Sequence, residues 1–153
     1  MIRGHRLILA LGLLCAGTFA GAQGGAADLV LIVNAQSPLE AKLAPEKVRD
    51  ACLGKPVGGA RLQLVNQADQ AVMAAFIEKF TGMTLGAYKS HWVKKLMSEG
   101  GTGPKTLESP AEILRFVSEN KAALAYLAKK DLPAKAPGVR VLAVSSDNDP
   151  VKK

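Results

Sequence analysis

The chain has 153 residues, 48% of them hydrophobic and 5% aromatic, with 20 basic side chains against 13 acidic ones. That length suits one compact domain and is too short for two. The basic residues are scattered, without the stripe or motif that nucleic-acid binding needs, and two cysteines and two histidines leave little material for metal sites.

The chain opens with Arg3 and Arg6, an apolar run over 7–14, and small residues Ala20, Gly21 and Ala22 before Gln23. This layout predicts a cleavable secretory signal peptide over 1–22, with an apolar run too short for a bilayer core of about 30 Å. Cys15 follows Leu14, where a lipoprotein signal would have a small residue, so Cys15 is expected to leave with the signal. Without Arg3 and Arg6 the balance is 18 basic against 13 acidic residues. Such a surplus favours an anionic ligand or surface at long range. Cys52 then stands alone, unable to close an internal disulfide, and is expected to be a small buried hydrophobe.

A leader over 23–28 precedes the apolar, β-branched run 29–33, which predicts a strand covered on both faces. A loop containing Ser37 and Pro38 follows. Pro45 suits a helix start and Gly54 a helix end, with Val48, Ala51 and Cys52 facing inward. Alternation over 61–66 predicts a second strand. Asp69 or Asn66 can cap the next helix, whose stripe is Val72, Met73, Phe76, Ile77 and Phe80, closed by Gly82. A third helix over 85–98 places Leu85, Tyr88, Trp92 and Leu96 on one face. Ser109, Pro110 and Glu112 form a capping box for a fourth, with Ile113, Leu114 and Val117 buried. Residues 122–128 and 139–144 are strand candidates, and 146–153 reads as a tail. The order predicts an α/β domain over 29–145, a single small sheet covered by helices.

Several landmarks then carry a resemblance: the run from Pro45 through Cys52, Leu53, Gly54 and Lys55; Phe76; Tyr88 and Trp92; Gly100, Gly101, Thr102, Gly103 and Pro104; and Asn120 to Tyr126. In order and spacing they resemble the phosphate-binding proteins of ABC transporters, a type II periplasmic binding fold. The match runs over about 29–144, equivalent to one lobe. The resemblance implies a periplasmic, non-catalytic solute-binding module for phosphate or another small oxyanion. It also implies a transporter or sensor subunit of the envelope as partner, and no cofactor. By topology and motif position, its site falls on Ser37, Asn66, Gln67 and Gln70, at the strand-to-helix edge where ligands of such sheets sit.

The chain also departs from that pattern. The turn over 66–72 lacks the arginine, Ser-Gly and threonine that hold phosphate in the family, and Asp69 puts a negative charge at the helix start. A single lobe also lacks half of the donors, although a homodimer can rebuild a cleft. The alternative expectation is therefore an accessory or protein-interaction domain of the envelope that has lost its ligand site. Catalysis is not expected. His91 is the one histidine beyond the signal, sits mid-helix and has no nucleophile motif near it. No metal set is visible. Trp92 reads as a core anchor before a ligand platform, the Gly100 to Gly103 turn as a connection before a phosphate cradle, and Lys55 and Arg61 as solvated charges.

Overall fold

The computed structural model describes residues 29–145, so the expected signal peptide, leader and tail lie outside the described residues. Its six strands are β1 (Leu29–Asn34), β2 (Lys42–Leu43), β3 (Gln63–Gln67), β4 (Lys105–Leu107), β5 (Ala123–Ala128) and β6 (Val139–Val144). The helices are α1 (Pro45–Cys52), α2 (Gln70–Thr81), α3 (Leu85–Glu99) and α4 (Pro110–Glu119). The strands form one mixed sheet in the order β2-β6-β1-β5-β3-β4. β1 is antiparallel to β5 and β6, while β3 runs parallel to β4 and β5.

Side-chain alternation splits the core into two layers. On one face Leu31, Val33, Leu64, Leu124 and Tyr126 pack with Val48 and Cys52 of α1, Met73, Phe76 and Ile77 of α2, and Tyr88 of α3. On the other, Ile32, Val65, Ala125 and Leu127 pack against Ile113 and Val117 of α4. With both faces covered, β1 and β5 tolerate the continuous apolar runs that distinguish them. The α/β class expected from the sequence is the class observed.

Local signals account for the helix ends. Pro45 occupies the first turn of α1, and Gly54 takes a φ of 70° beyond its end. Asp69 caps α2, and Gly82 ends it in the left-handed conformation. Ser109 caps α4 by accepting from the Glu112 amide at 3.3 Å, while the Glu112 carboxylate reaches the Glu108 amide at 3.1 Å. The reciprocal bond therefore closes one residue earlier than a capping box would have it.

Four expectations are corrected. The stretch after Asn34 includes the two-residue strand β2, and the stretch after the glycine turn forms β4. Both are too short to show a period of two, and their pairing partners set them. The second strand runs Gln63–Gln67, so Arg61 and Leu62 precede it. On α3 only Tyr88 is fully buried; Leu85 and Trp92 are half-buried and Leu96 lies at the surface. Among the described residues no helix is long and apolar enough to cross a membrane.

Candidate functional site

The edge at which β3 ends and α2 begins gathers most of the expected site. β3 carries Asn66 and Gln67 to that edge with alternate orientations, Asn66 toward the α1–α3 face and Gln67 toward the α4 face. Both are buried. A buried amide needs partners. The Tyr126 hydroxyl donates to Asn66 Oδ1 at 3.2 Å, and Gln67 Nε2 donates to the Tyr126 carbonyl at 2.8 Å. The Tyr126 ring in turn lies flat on Phe76, with centroids 3.7 Å apart. Two of the four expected ligand residues thus brace β3 against β5.

Gln70, exposed at the first position of α2, bonds to the Ala68 carbonyl at 3.3 Å. Its side-chain oxygen accepts from the ammonium of Lys89 on α3 at 3.1 Å. Lys89 was not anticipated from the sequence. It lies 19 residues away and reaches the edge only because α3 packs beside α2.

A helix N-terminus ordinarily offers unsatisfied N–H groups to an anion. Here Asp69 Oδ1 accepts from the amides of Ala71 at 2.9 Å and Val72 at 3.2 Å, and the Met73 amide bonds to the Asp69 carbonyl at 3.0 Å. The donors that an oxyanion would use are held by the chain's own carboxylate.

Ser37 lies elsewhere. It follows the C-terminal end of β1, and β1 is antiparallel to β5 with Val33 opposite Leu124 and Leu29 opposite Ala128. β3 runs with β5, Gln63 opposite Ala123. The end of β1 therefore meets the start of β5, across the sheet from the end of β3. Asn66, Gln67 and Gln70 lie at one edge, with Asn66 and Gln67 on opposite faces of the sheet, and Ser37 stands at the opposite edge. There its carbonyl accepts from the Arg140 guanidinium at 3.4 Å, and its amide donates to the Asn34 carbonyl at 2.9 Å.

The remaining candidate side chains have structural tasks. Cys52 is fully buried, and burial pushes its thiol up to about 12. His91 Nε2 is 3.3 Å from the Leu53 carbonyl, at the end of α1. Tyr88 is 1% exposed, and its hydroxyl has no hydrogen-bond partner among the described residues. Burial raises the phenols of Tyr88 and Tyr126 alike. Lys55 faces Asp50 at 3.4 Å on the surface. No cluster of three His, Cys, Asp or Glu residues suited to a metal occurs among the described residues.

Comparisons with solved proteins agree with this fold. The chain resembles an ABC-type phosphate transport receptor from Vibrio cholerae at 14% identity and a TM-score of 0.55, covering 76% of this chain and 46% of that one. A possible phosphate binding protein from Planctomyces limnophilus matches at 12% identity and a TM-score of 0.58, covering 79% and 42%. A putative phosphate ABC transporter substrate-binding protein from Clostridium perfringens, solved with bound phosphate, matches at 15% and 0.55, covering 76% and 44%. The chain spans less than half the length of each, and its domain corresponds to a single lobe of such proteins. No known family profile and no curated protein matches the sequence.

Proposed function

We propose that this chain is a non-catalytic, exported, solute-binding-like module that works as an accessory domain in the bacterial envelope, with its oxyanion position occupied by Asp69. The single observation that carries this reading is the double acceptance by Asp69 Oδ1 from Ala71 and Val72. A phosphate at that helix start would displace this cap and meet a like charge. Asn66 and Gln67 are committed to Tyr126 and cannot turn toward a ligand without leaving buried groups unpaired. The fold supports the association with phosphate transport, and the residues 1–22 support export to the periplasm.

A second reading, surviving oxyanion capture, is favoured by one observation. Lys89 places an ammonium beside Gln70 at the start of α2, where a cation opposes the helix dipole and favours an anion. One lobe supplies few donors and no closure, so such a site would bind weakly.

Calorimetric titration of the protein beginning at Gln23 with phosphate and sulfate at low salt separates the two. We expect no saturable heat from the unaltered protein. Asp69→Ser keeps a capping oxygen and removes the charge, and is expected to give measurable phosphate binding that Lys89→Ala abolishes. Saturable, phosphate-selective heat from the unaltered protein, lost in Gln67→Ala/Gln70→Ala, would overturn the accessory reading.

A further inference from the structure

At the opposite edge of the sheet, where the parallel strands begin, a cleft of about 390 Å³ opens. Gln63 opens β3, Pro104 precedes β4 and Ala122 precedes β5, and all three line it. That volume falls in the range of small-molecule sites. We infer that this cleft, walled by Trp92 and carrying Arg61 and Lys95, is a binding site for a small organic carboxylate with an apolar body.

The walls are fixed before any ligand arrives. Trp92 Nε1 donates to the Cys52 carbonyl at 3.1 Å, and its ring packs edge-on to Tyr88 with centroids 6.5 Å apart. Gly54 lets that ring lie against the end of α1, since a Cβ there would come within 2.4 Å of Trp92 Cη2. Across the cleft, Gln63 Nε2 donates to the Gly103 carbonyl at 3.0 Å and pins the glycine turn to β3. A preformed apolar wall loses little entropy on binding, which favours a flat or branched hydrocarbon body.

Charge supplies the other half. Two helices end at this edge, and their exposed carbonyls would ordinarily repel an anion. Those at the end of α1, and Leu96 O on α3, are already used. Cys52 O accepts from Trp92, Leu53 O lies against His91, and Leu96 O accepts from the Gly100 amide. The Ser98 hydroxyl bonds to the carbonyls of Lys94 at 3.0 Å and Lys95 at 3.3 Å. The charged side chains lining the cleft are Arg61 and Lys95, and Lys95 is paired with the carboxylate of Glu99. The Lys95 ammonium is 2.7 Å from Glu99, and its side chain is only 16% exposed. Arg61 is exposed and makes no hydrogen bond or ion pair among the described residues. Lys95 first, and Arg61 to a lesser degree, hold the Glu99 carboxyl below its usual range. An Arg guanidinium in that position is suited to a carboxylate through paired N–H donors. The net excess of one positive charge over an aromatic wall selects a monoanion with apolar bulk over a bare inorganic ion.

Trp92 is the sole tryptophan of the chain, so its emission reports directly on the cleft. The probes are phenylacetate, acetate and benzyl alcohol, titrated at constant ionic strength. We expect saturable change with phenylacetate in a roughly millimolar range, as suits a ligand of that size. Acetate lacks the body and benzyl alcohol the charge, and each should bind about tenfold more weakly; Arg61→Gln should cost phenylacetate about the same factor. Ala122→Phe fills the cleft from an exposed position and should abolish the signal while leaving the melting temperature unchanged. No saturation with phenylacetate, equal response to benzyl alcohol, or full affinity in Arg61→Gln would each overturn the proposal. Asp69→Ser lies across the sheet and should leave the titration unaltered, so this site and the proposed function fail separately.

Discussion

The two edges of the sheet hold similar inventories of polar groups and use them in opposite ways. At the end of β3, Asn66, Gln67, Asp69 and Gln70 each have a partner within the domain, and Asp69 takes the helix amides itself. At the start of β3, Arg61 makes no hydrogen bond or ion pair among the described residues, while neighbouring carbonyls accept from Trp92, Ser98 and Gly100. Position alone therefore does not make a binding site. The edge favoured by the general rule for parallel strands is the one closed from within, and the opposite edge keeps the exposed Arg61 guanidinium beside a rigid aromatic wall.

Breaking the floor of the closed edge should have the largest effect. Phe76 is fully buried against Tyr126 and Phe80, so Phe76→Ala is expected to cost about 4 kcal/mol in chemical denaturation. A loss under about 1 kcal/mol would mean that the Tyr126 brace does not depend on it. At the open edge, Gly54→Ala combines a positive φ with a steric clash on Trp92. It should cost about 3 kcal/mol and alter Trp92 emission; an unchanged spectrum would contradict the clamped wall.

Alkaline pH tests the core between the two edges. Cys52, Tyr88 and Tyr126 all have folded-state values raised by burial. A raised value means stability that is full below the unfolded-state value and is lost as pH rises toward the folded one. For Cys52 that window runs from the ordinary thiol range up to about 12, and the slope is about 1.4 kcal/mol per pH unit for each group. Melting temperature should be flat near neutrality and fall above it, and Cys52→Ala should make the first part of the fall shallower. The same burial predicts that Cys52 resists alkylation at neutral pH until the protein unfolds.

The smallest expected effect is the most diagnostic of packing. Tyr88 buries a hydroxyl without a partner among the described residues, so Tyr88→Phe should leave stability unchanged or raise it by about 1 kcal/mol. A clear loss in thermal melts would show that the hydroxyl is satisfied in solution, for instance by a bound water.

Much of the fold was legible locally. The apolar run of β1, Pro45 with Gly54, Asp69 with Gly82, and Ser109 with Glu112 each state an element or its end, because capping and burial act within a few residues. The short strands β2 and β4 were not legible, since two or three residues carry no periodicity and exist only through pairing. Of the expected site, Asn66, Gln67 and Gln70 are neighbours in sequence and stay neighbours in space. Ser37 does not join them, because nothing in residues 29–37 records whether β1 will run with β5 or against it.

By itself, then, the sequence determined the class of the domain, the ends of its helices, the burial of Cys52 and the negative charge at the start of α2, all of which rest on short-range physics. Strand direction, the arrival of Lys89 beside Gln70, and the meeting of Arg61, Trp92 and Lys95 around one cleft were decided only by the tertiary structure. Each of these depends on which distant segments pair and pack, a choice made by the whole core rather than by any local run of residues.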